Sequence, residues 1–230
     1  MAYTIIAEWM FGNVVTGGCI MKFFDYDGPL MSFLLKVSDL VCLNLLTIIF
    51  CIPIITAGAS ITAAHYVALK NYRYESNIFK NFLKAFKENL KQSTIIWMVF
   101  VLHFVIAMLA LYVLPKIGGM LPTIVQGIII VVFIVSVILY AWVFPLQSKF
   151  ENKISTTFNI AFYLAFKHFF RTVYLIVLNL LPLMLVMILS LKWYSLWICF
   201  GFSVPIYWSA IAYNKVFEKM EEMILEREGK

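Results

Sequence analysis

The side chains that could carry chemistry are few and far apart in this sequence. Asp39, Asn44 and His65 lie within apolar stretches. Polar and ionisable groups inside a membrane are costly, and those that occur often mark a functional site. The sequence therefore predicts a candidate polar intramembrane site formed by these three residues. A structural role stays open for each, since Lys36 can pair with Asp39 and a single buried histidine is commonly hydrogen-bonded within the protein.

Motifs for catalysis or cofactor binding do not occur in the sequence. It contains no HExxH, no GxSxG, no Walker motif and no glycine-rich phosphate loop. The cysteines form no CxxC pair: Cys19, Cys42, Cys51 and Cys199. We expect no enzymatic activity, no cofactor and no metal. An intramembrane enzyme stays a minor alternative, which requires two of Asp39, His65 and His103 to lie within hydrogen-bonding or ligand distance.

The composition indicates a membrane protein. Of the 230 residues, 63% are hydrophobic and only 13% are charged, and the mean hydropathy is +0.92. A soluble domain carries about 25% charged residues. An ordinary globular enzyme, a disordered protein and a nucleic-acid-binding protein are thereby excluded. The net charge of +6 does not argue for nucleic acid, because the basic residues flank the apolar stretches, as membrane anchors do.

Five stretches reach the length of about 20 apolar residues that a membrane-spanning helix needs. They lie at 36–55, 94–114, 122–145, 171–191 and 193–213. A shorter stretch at 57–70 is a sixth span, a re-entrant half-helix or an interfacial helix. The sequence thus predicts an all-α, polytopic membrane helix bundle with five to six transmembrane helices. Residues 21–215 form its single membrane domain, 1–20 an N-terminal extension and 216–230 a charged tail.

The basic residues indicate the orientation of the chain. Residues 70–93, 149–171 and 215–230 together contain 14 of the 18 Lys and Arg residues. The positive-inside rule places these segments in the cytoplasm. Six spans also place the N-terminus inside, with Lys22 and Lys36, and this charge balance slightly favours six spans over five. We expect a multi-pass protein whose C-terminus is cytoplasmic.

Two basic amphipathic helices, at 78–91 and 157–170, are expected to lie on the cytoplasmic face of the bilayer. Each places apolar residues on one helical face and leads into a span. Such helices rest in the headgroup layer, with their cations toward anionic lipid. The residues assigned to lipid contact are Lys80, Lys84, Lys87, Lys91, Lys167 and Arg171.

The two amphipathic segments also resemble each other. Phe82, Ala85 and Phe86 are followed by two basic residues, and the same residue types recur 80 positions later at Phe162, Ala165 and Phe166. Two related structural units, as found in some transporters, would explain this pattern. A scaffold would explain it equally well, and a Phe-rich sequence can produce it by chance.

Several groups of residues between 21 and 97 match a family pattern. They are MKFFDYDGPLM at 21–31, Asp39, LNLL at 43–46, CIPIITAGAS at 51–60, Tyr66-Val67, Leu69-Lys70, FLKAFKENLKQ at 82–92 and Ile95-Ile96-Trp97. On these residues the chain resembles the YesL-like integral membrane proteins of Gram-positive bacteria, a family of unknown function. The residues before Met21 are not part of the pattern.

The resemblance implies a bacterial plasma-membrane protein without assigned catalytic residues. Genes of this family often lie beside those of carbohydrate ABC transporters and two-component sensors. The implied role is therefore accessory to, or regulating, oligosaccharide uptake or its sensing. The implied partners are subunits of a sugar ABC transporter or a sensor kinase, in addition to the lipid bilayer.

The resemblance also emphasises Asn44 and a helix break that contains Pro53, Thr56, Gly58 and Ser60. A structural role fits the break: Pro53 and Gly58 shape it, and Thr56 or Ser60 caps the helix that follows. The alternative function is a small-molecule permease that has its polar site near the break at 53–60.

Overall fold

The computed structural model describes residues 29–71, 77–188 and 194–228, and no strand occurs among them. The helices are α1 Pro29–Cys51, α2 Ala57–Asn71, α3 Ile78–Ile117, α4 Met120–Lys149, α5 Ile154–Lys167, α6 Phe169–Ile188, α7 Tyr194–Phe200 and α8 Ser203–Glu228. The predicted all-α architecture is confirmed. The predicted extension at 1–20 and the first family motif up to residue 28 lie outside the described residues, as does the end of the predicted span at 171–191.

Four stretches of the described helices are long and apolar enough to cross a membrane: Met31–Cys51, Ile78–Ile117, Met120–Lys149 and Leu196–Glu226. The number rises to five if the bent pair formed by α5 and the first part of α6 counts as one span. A polytopic helical membrane protein is therefore confirmed. These apolar helices indicate a lipid bilayer environment.

The contacts divide the chain into two units, one ending at Val41 and the other running from Cys42 to Lys230. In the first unit the described apolar side chains from Phe33 to Leu35 are exposed. The second unit contains the main core, which includes Trp142, Phe144 and Tyr213. This core extends to Val216 and Phe217, which the sequence assigned to a charged tail, and helix α8 continues to Glu228.

Helix α2 is short and is enclosed by other helices of the second unit. Its 15 residues span about 22 Å, less than the hydrocarbon core of a bilayer. Residues 57–65 are all buried, and α2 packs against α3, α4 and α8. The alanines of α2 permit this close packing. An interfacial helix keeps one face at the headgroups, so this burial disfavours the interfacial alternative for 57–70, and the position of α2 relative to the membrane stays a prediction.

Helix α3 joins two elements that the sequence predicted as separate. Residues 78–91 and 94–114 lie in one helix of 40 residues, since neither Gly nor Pro stands between them to end it. Phe82 is fully buried, and its ring centroid lies 5.5 Å from that of Phe50. The expected placement of this helix face in the headgroup layer is therefore wrong at Phe82, whose partners are protein side chains.

The second amphipathic segment has a different structure. Helices α5 and α6 meet at His168 with a bend of 110°, so the predicted helix at 157–170 is interrupted there. Ala165 is buried, as is Ala85, but Phe162 is 51% exposed where its counterpart Phe82 is buried. The two segments share a sequence pattern without forming equivalent structural units.

Candidate functional site

The side chain of Asn44 forms hydrogen bonds to the backbone on both sides of the break between α7 and α8. Its Nδ2 donates hydrogen bonds to the carbonyl oxygens of Ile198 at 2.7 Å and Trp197 at 3.3 Å. Its Oδ1 accepts hydrogen bonds from the backbone N–H groups of Phe202 at 2.7 Å and Ser203 at 2.9 Å. A helix break leaves such carbonyl and N–H groups without intrahelical partners. One fully buried amide therefore satisfies four backbone groups, and its own hydrogen-bonding capacity is used.

The geometry of this break depends on Gly201. A Cβ on Gly201 would lie 2.6 Å from the carbonyl oxygen of Trp197, and the Gly201 N–H already bonds to that oxygen at 2.7 Å. The sequence predicted Asn44 as a candidate site residue, but it did not predict that Asn44 pairs with the backbone of the α7–α8 break. Gly201 and Ser203 lie inside an apolar stretch, and such residues are a local signal that one helix ends and another begins. No residue near them in the sequence identifies Asn44 as their partner.

The break between α1 and α2 is closed by Thr56. The Thr56 hydroxyl lies 3.0 Å from the carbonyl oxygens of both Phe50 and Pro53. It therefore bonds to a carbonyl in the last turn of α1 and to one in the break itself, whereas the sequence predicted a cap on the following helix. Pro53 itself is exposed and in an extended conformation, which fits a residue that ends a helix.

Ser60 and Trp97 tie the same break to neighbouring helices. The Ser60 hydroxyl donates to the carbonyl oxygen of Thr47 at 2.9 Å, so it joins α2 to α1 instead of capping α2. The Trp97 Nε1–H donates to the carbonyl oxygen of Ile54 at 2.8 Å. The polar groups of the family motif are thus used in contacts between helices.

Gly58 permits the close approach of α2 and α3. A Cβ at this position would lie 2.4 Å from the Cβ of Trp97 and 2.6 Å from the carbonyl oxygen of Ser93. One turn further along α2, the hydroxyls of Thr62 and Ser93 share a hydrogen bond of 2.9 Å. Gly58 therefore acts through packing, as small residues do between membrane helices.

His65 pairs with a residue of the last helix. Its Nδ1 and the Tyr213 hydroxyl share a hydrogen bond of 2.9 Å, and both side chains are buried. The Nε2 of His103 is buried without a hydrogen-bond partner. Asp39 is half-buried and belongs to the N-terminal unit. Asn44 and His65 therefore serve separate contacts, the first at the α7–α8 break and the second at Tyr213.

The residues that the structure describes contain no candidate metal site. Within 29–71, 77–188 and 194–228, no three His, Cys, Asp or Glu side chains are grouped closely enough to hold a metal ion.

The cations assigned to lipid contact are at or near the surface. On α3 they are exposed: Lys80, Lys84, Lys87 and Lys91. At the α5–α6 bend, Lys167 is exposed and Arg171 is half-buried, and Phe170 beside them is 88% exposed. Exposed apolar side chains such as Phe beside Lys and Arg are typical of helices that lie in the headgroup layer of a membrane.

His168 stands at the centre of this bend. It is half-buried and follows the exposed Lys167 in the chain. The side chains of Lys167 and Arg171 place positive charge at the bend.

The fold and these contacts define a multi-pass helical membrane protein whose intramembrane polar side chains connect its helices. A family model described as a protein of unknown function, DUF624, matches residues 40–111, which is about a third of the chain. YesL-like proteins belong to that family, and the matched segment contains Asn44 and the break at 53–60. No curated protein and no solved structure matches the chain.

Proposed function

We propose that the protein is a non-enzymatic component of the bacterial plasma membrane that assists or regulates oligosaccharide uptake by an ABC transporter, or the sensing of these sugars. The observation that carries the non-enzymatic assignment is the use of the Asn44 amide in four internal hydrogen bonds. The link to carbohydrate rests on the YesL-like resemblance, whose genes neighbour those of sugar transporters and sensors.

Contacts with a partner would be made by exposed helix faces. Apolar side chains along α3 and α4, such as Leu102, Leu109, Ile128 and Val131, are exposed and available to lipid or to a neighbouring helix. In this proposal the basic segments and the C-terminus lie in the cytoplasm, in agreement with the positive-inside rule. A transporter's membrane subunit or a sensor kinase would meet the protein on these surfaces.

Photocrosslinking in native membranes tests this proposal. A photoreactive amino acid at exposed Leu109 should capture subunits of a sugar ABC transporter or a sensor kinase, enriched over abundant membrane proteins. The matched control is fully buried Ile96 on the same helix, which should yield no intermolecular product. Enrichment at Leu109 no greater than that of unrelated membrane proteins contradicts the proposal.

The break at 53–60 gives the permease alternative less support than it gives the accessory role. Thr56, Ser60 and Trp97 all donate hydrogen bonds to backbone carbonyls there, which holds the helices together. Purified protein in liposomes separates the two functions. The accessory role predicts no flux with a panel of sugars, and selective flux of one sugar favours the permease.

A further inference from the structure

Helix α3 carries a row of exposed lysines near its start, which we call the lysine ridge. Its members follow one another at the three- and four-residue spacings that bring side chains onto one helical face: Lys80, Lys84, Lys87 and Lys91. Glu88 Oε1 lies 3.9 Å from Lys84 Nζ, so positive charge predominates on the ridge. Beside the ridge, the apolar side chain of Phe79 is 60% exposed.

Most of the lysine ridge lies too far along α3 to reach the lipid. Helix α3 is continuous over 40 residues, and its apolar stretch at 95–114 has the length of about 30 Å that crosses the hydrocarbon core. At a rise of 1.5 Å per residue, Lys84 lies about 16 Å and Lys80 about 22 Å before this stretch. The headgroup layer adds only about 5 to 7 Å on each side. With 95–114 across the bilayer, these two lysines therefore extend past the headgroups.

The end of α4 connects the start of α3 with the end of α8. Gln92 Nε2 of α3 donates to Gln147 Oε1 of α4 at 3.0 Å, and Lys149 Nζ of α4 lies 2.8 Å from Glu221 Oε2 of α8. The positive-inside rule places both the start of α3 and the end of α8 in the cytoplasm. The two helix ends therefore project from the same side of the bundle.

The end of α8 is acidic and apolar where the start of α3 is basic and apolar. Residues 222–226, which we call the acidic end, contain two carboxylates and no cation. Glu222 and Glu226 are exposed one helical turn apart, and Leu225 beside them is 67% exposed. Exposed apolar side chains rimmed by charge are typical of a protein interaction surface. Both surfaces are exposed in a single chain, so each is available to a second molecule.

We propose that two copies of this chain associate through these surfaces, with the lysine ridge of one copy against the acidic end of the other. Glu222 and Glu226 have the same spacing as Lys80 and Lys84, so two ion pairs can form on one side of each helix. Two copies in one bilayer share an orientation, which brings both surfaces to the same membrane side. A two-fold axis would let each copy contribute both surfaces. This association does not depend on a role in sugar uptake.

Complementary charge reversals test the interface in the full chain. Energy transfer between donor-labelled and acceptor-labelled copies in liposomes measures association, which we expect for the wild type. Lys80→Glu with Lys84→Glu should weaken it at least about tenfold, since like charges then face each other. Glu222→Lys with Glu226→Lys should do the same. Mixing the two variants should restore association, because the reversed ridge then meets the reversed acidic end. A monomeric wild type, or a mixture without restoration, overturns the proposal.

The matched control reverses two exposed lysines on another part of the same side. Lys153→Glu with Lys167→Glu changes the net charge by the same amount and leaves the ridge intact, so this variant should associate like the wild type. Equal weakening indicates repulsion by net charge alone and overturns the proposal. All the altered side chains are exposed, where substitutions have little effect on folding.

Two measurements on the unaltered chain need no variant. Salt screens exposed charges, so raising the ionic strength should weaken the association, and an association that salt leaves unchanged counts against the ion pairs. Anionic lipid is the competing occupant of the lysine ridge. Association should persist when phosphatidylglycerol replaces phosphatidylcholine in the liposomes, and its loss in phosphatidylglycerol assigns the ridge to lipid and overturns the proposal.

Discussion

The side-chain oxygen of Asn44 accepts a hydrogen bond from the backbone N–H of Ser203 at 2.9 Å, across 159 positions of the sequence. With the three further bonds of Asn44, this contact fastens α1 to the break between α7 and α8. The protein thus uses an intramembrane amide to hold a broken helix in place.

Replacing Asn44 should destabilise the protein more than replacing another buried or half-buried asparagine. Asn44→Leu keeps the volume and leaves the Ile198 carbonyl and the Phe202 and Ser203 N–H groups unpaired, which should lower the free energy of unfolding by at least about 2 kcal/mol. The control is Asn179→Leu, which loses a local bond to the Leu175 carbonyl. Denaturant titration in micelles measures both, and equal losses contradict the role assigned to Asn44.

Adding a methyl group at Gly58 should separate α2 from α3. In Gly58→Ala the new Cβ meets the Trp97 Cβ and the Ser93 carbonyl, neither of which can swing away, and the cost should be about 2 kcal/mol or more. Gly127→Ala is the matched control, because nothing lies within 4 Å of its added Cβ. The control should melt at the wild-type temperature or above it, and a wild-type melting temperature for Gly58→Ala would refute the close contact.

The hydrogen bond between His65 and Tyr213 should contribute measurably to stability. Tyr213→Phe removes the hydroxyl and leaves the buried Nδ1 of His65 unpaired, with an expected loss of about 1 kcal/mol. A double-mutant cycle with His65→Leu isolates the pairwise energy. Half-buried Tyr207→Phe on the same helix serves as the control, and a coupling energy near zero counts against the bond.

The orientation of the chain can be tested with single cysteines. In a background without native cysteines, Lys84→Cys and Glu226→Cys should react with a membrane-impermeant maleimide only after cells are permeabilised. Lys116→Cys, at the other end of α3, should react in intact cells, because the positive-inside rule places that end outside. Labelling of Glu226→Cys in intact cells would reverse the proposed topology.

Span positions could be predicted from the sequence because hydropathy is summed over many residues. The stretch predicted at 122–145 lies within α4, Met120–Lys149, and the short stretch at 57–70 matches α2 within a residue. The environment of α2 could not be predicted, since its alanines and serine suit a buried helix and a re-entrant one equally.

The contacts of individual side chains could not be predicted, because they depend on which helices meet. Phe82 and Phe162 stand in the same local pattern, yet the first is buried and the second is exposed. The ring of Phe82 packs against Phe50 of α1, whereas the ring neighbour of Phe162 is Phe166 on its own helix. The polar candidates Asn44 and His65 are both buried, but their partners lie 148 to 159 positions away.

The distance in sequence between Asn44 and its partners sets an order of events during biosynthesis. A ribosome makes Asn44 first and reaches Ile198 154 residues later, so the amide enters the insertion machinery long before its acceptors exist. During that interval it needs substitute partners, such as water, lipid headgroups or an insertion chaperone. Packing around Asn44 is therefore completed only after residues 197–203 are made, and chains truncated before residue 197 are expected to be recognised as incomplete by quality-control proteases.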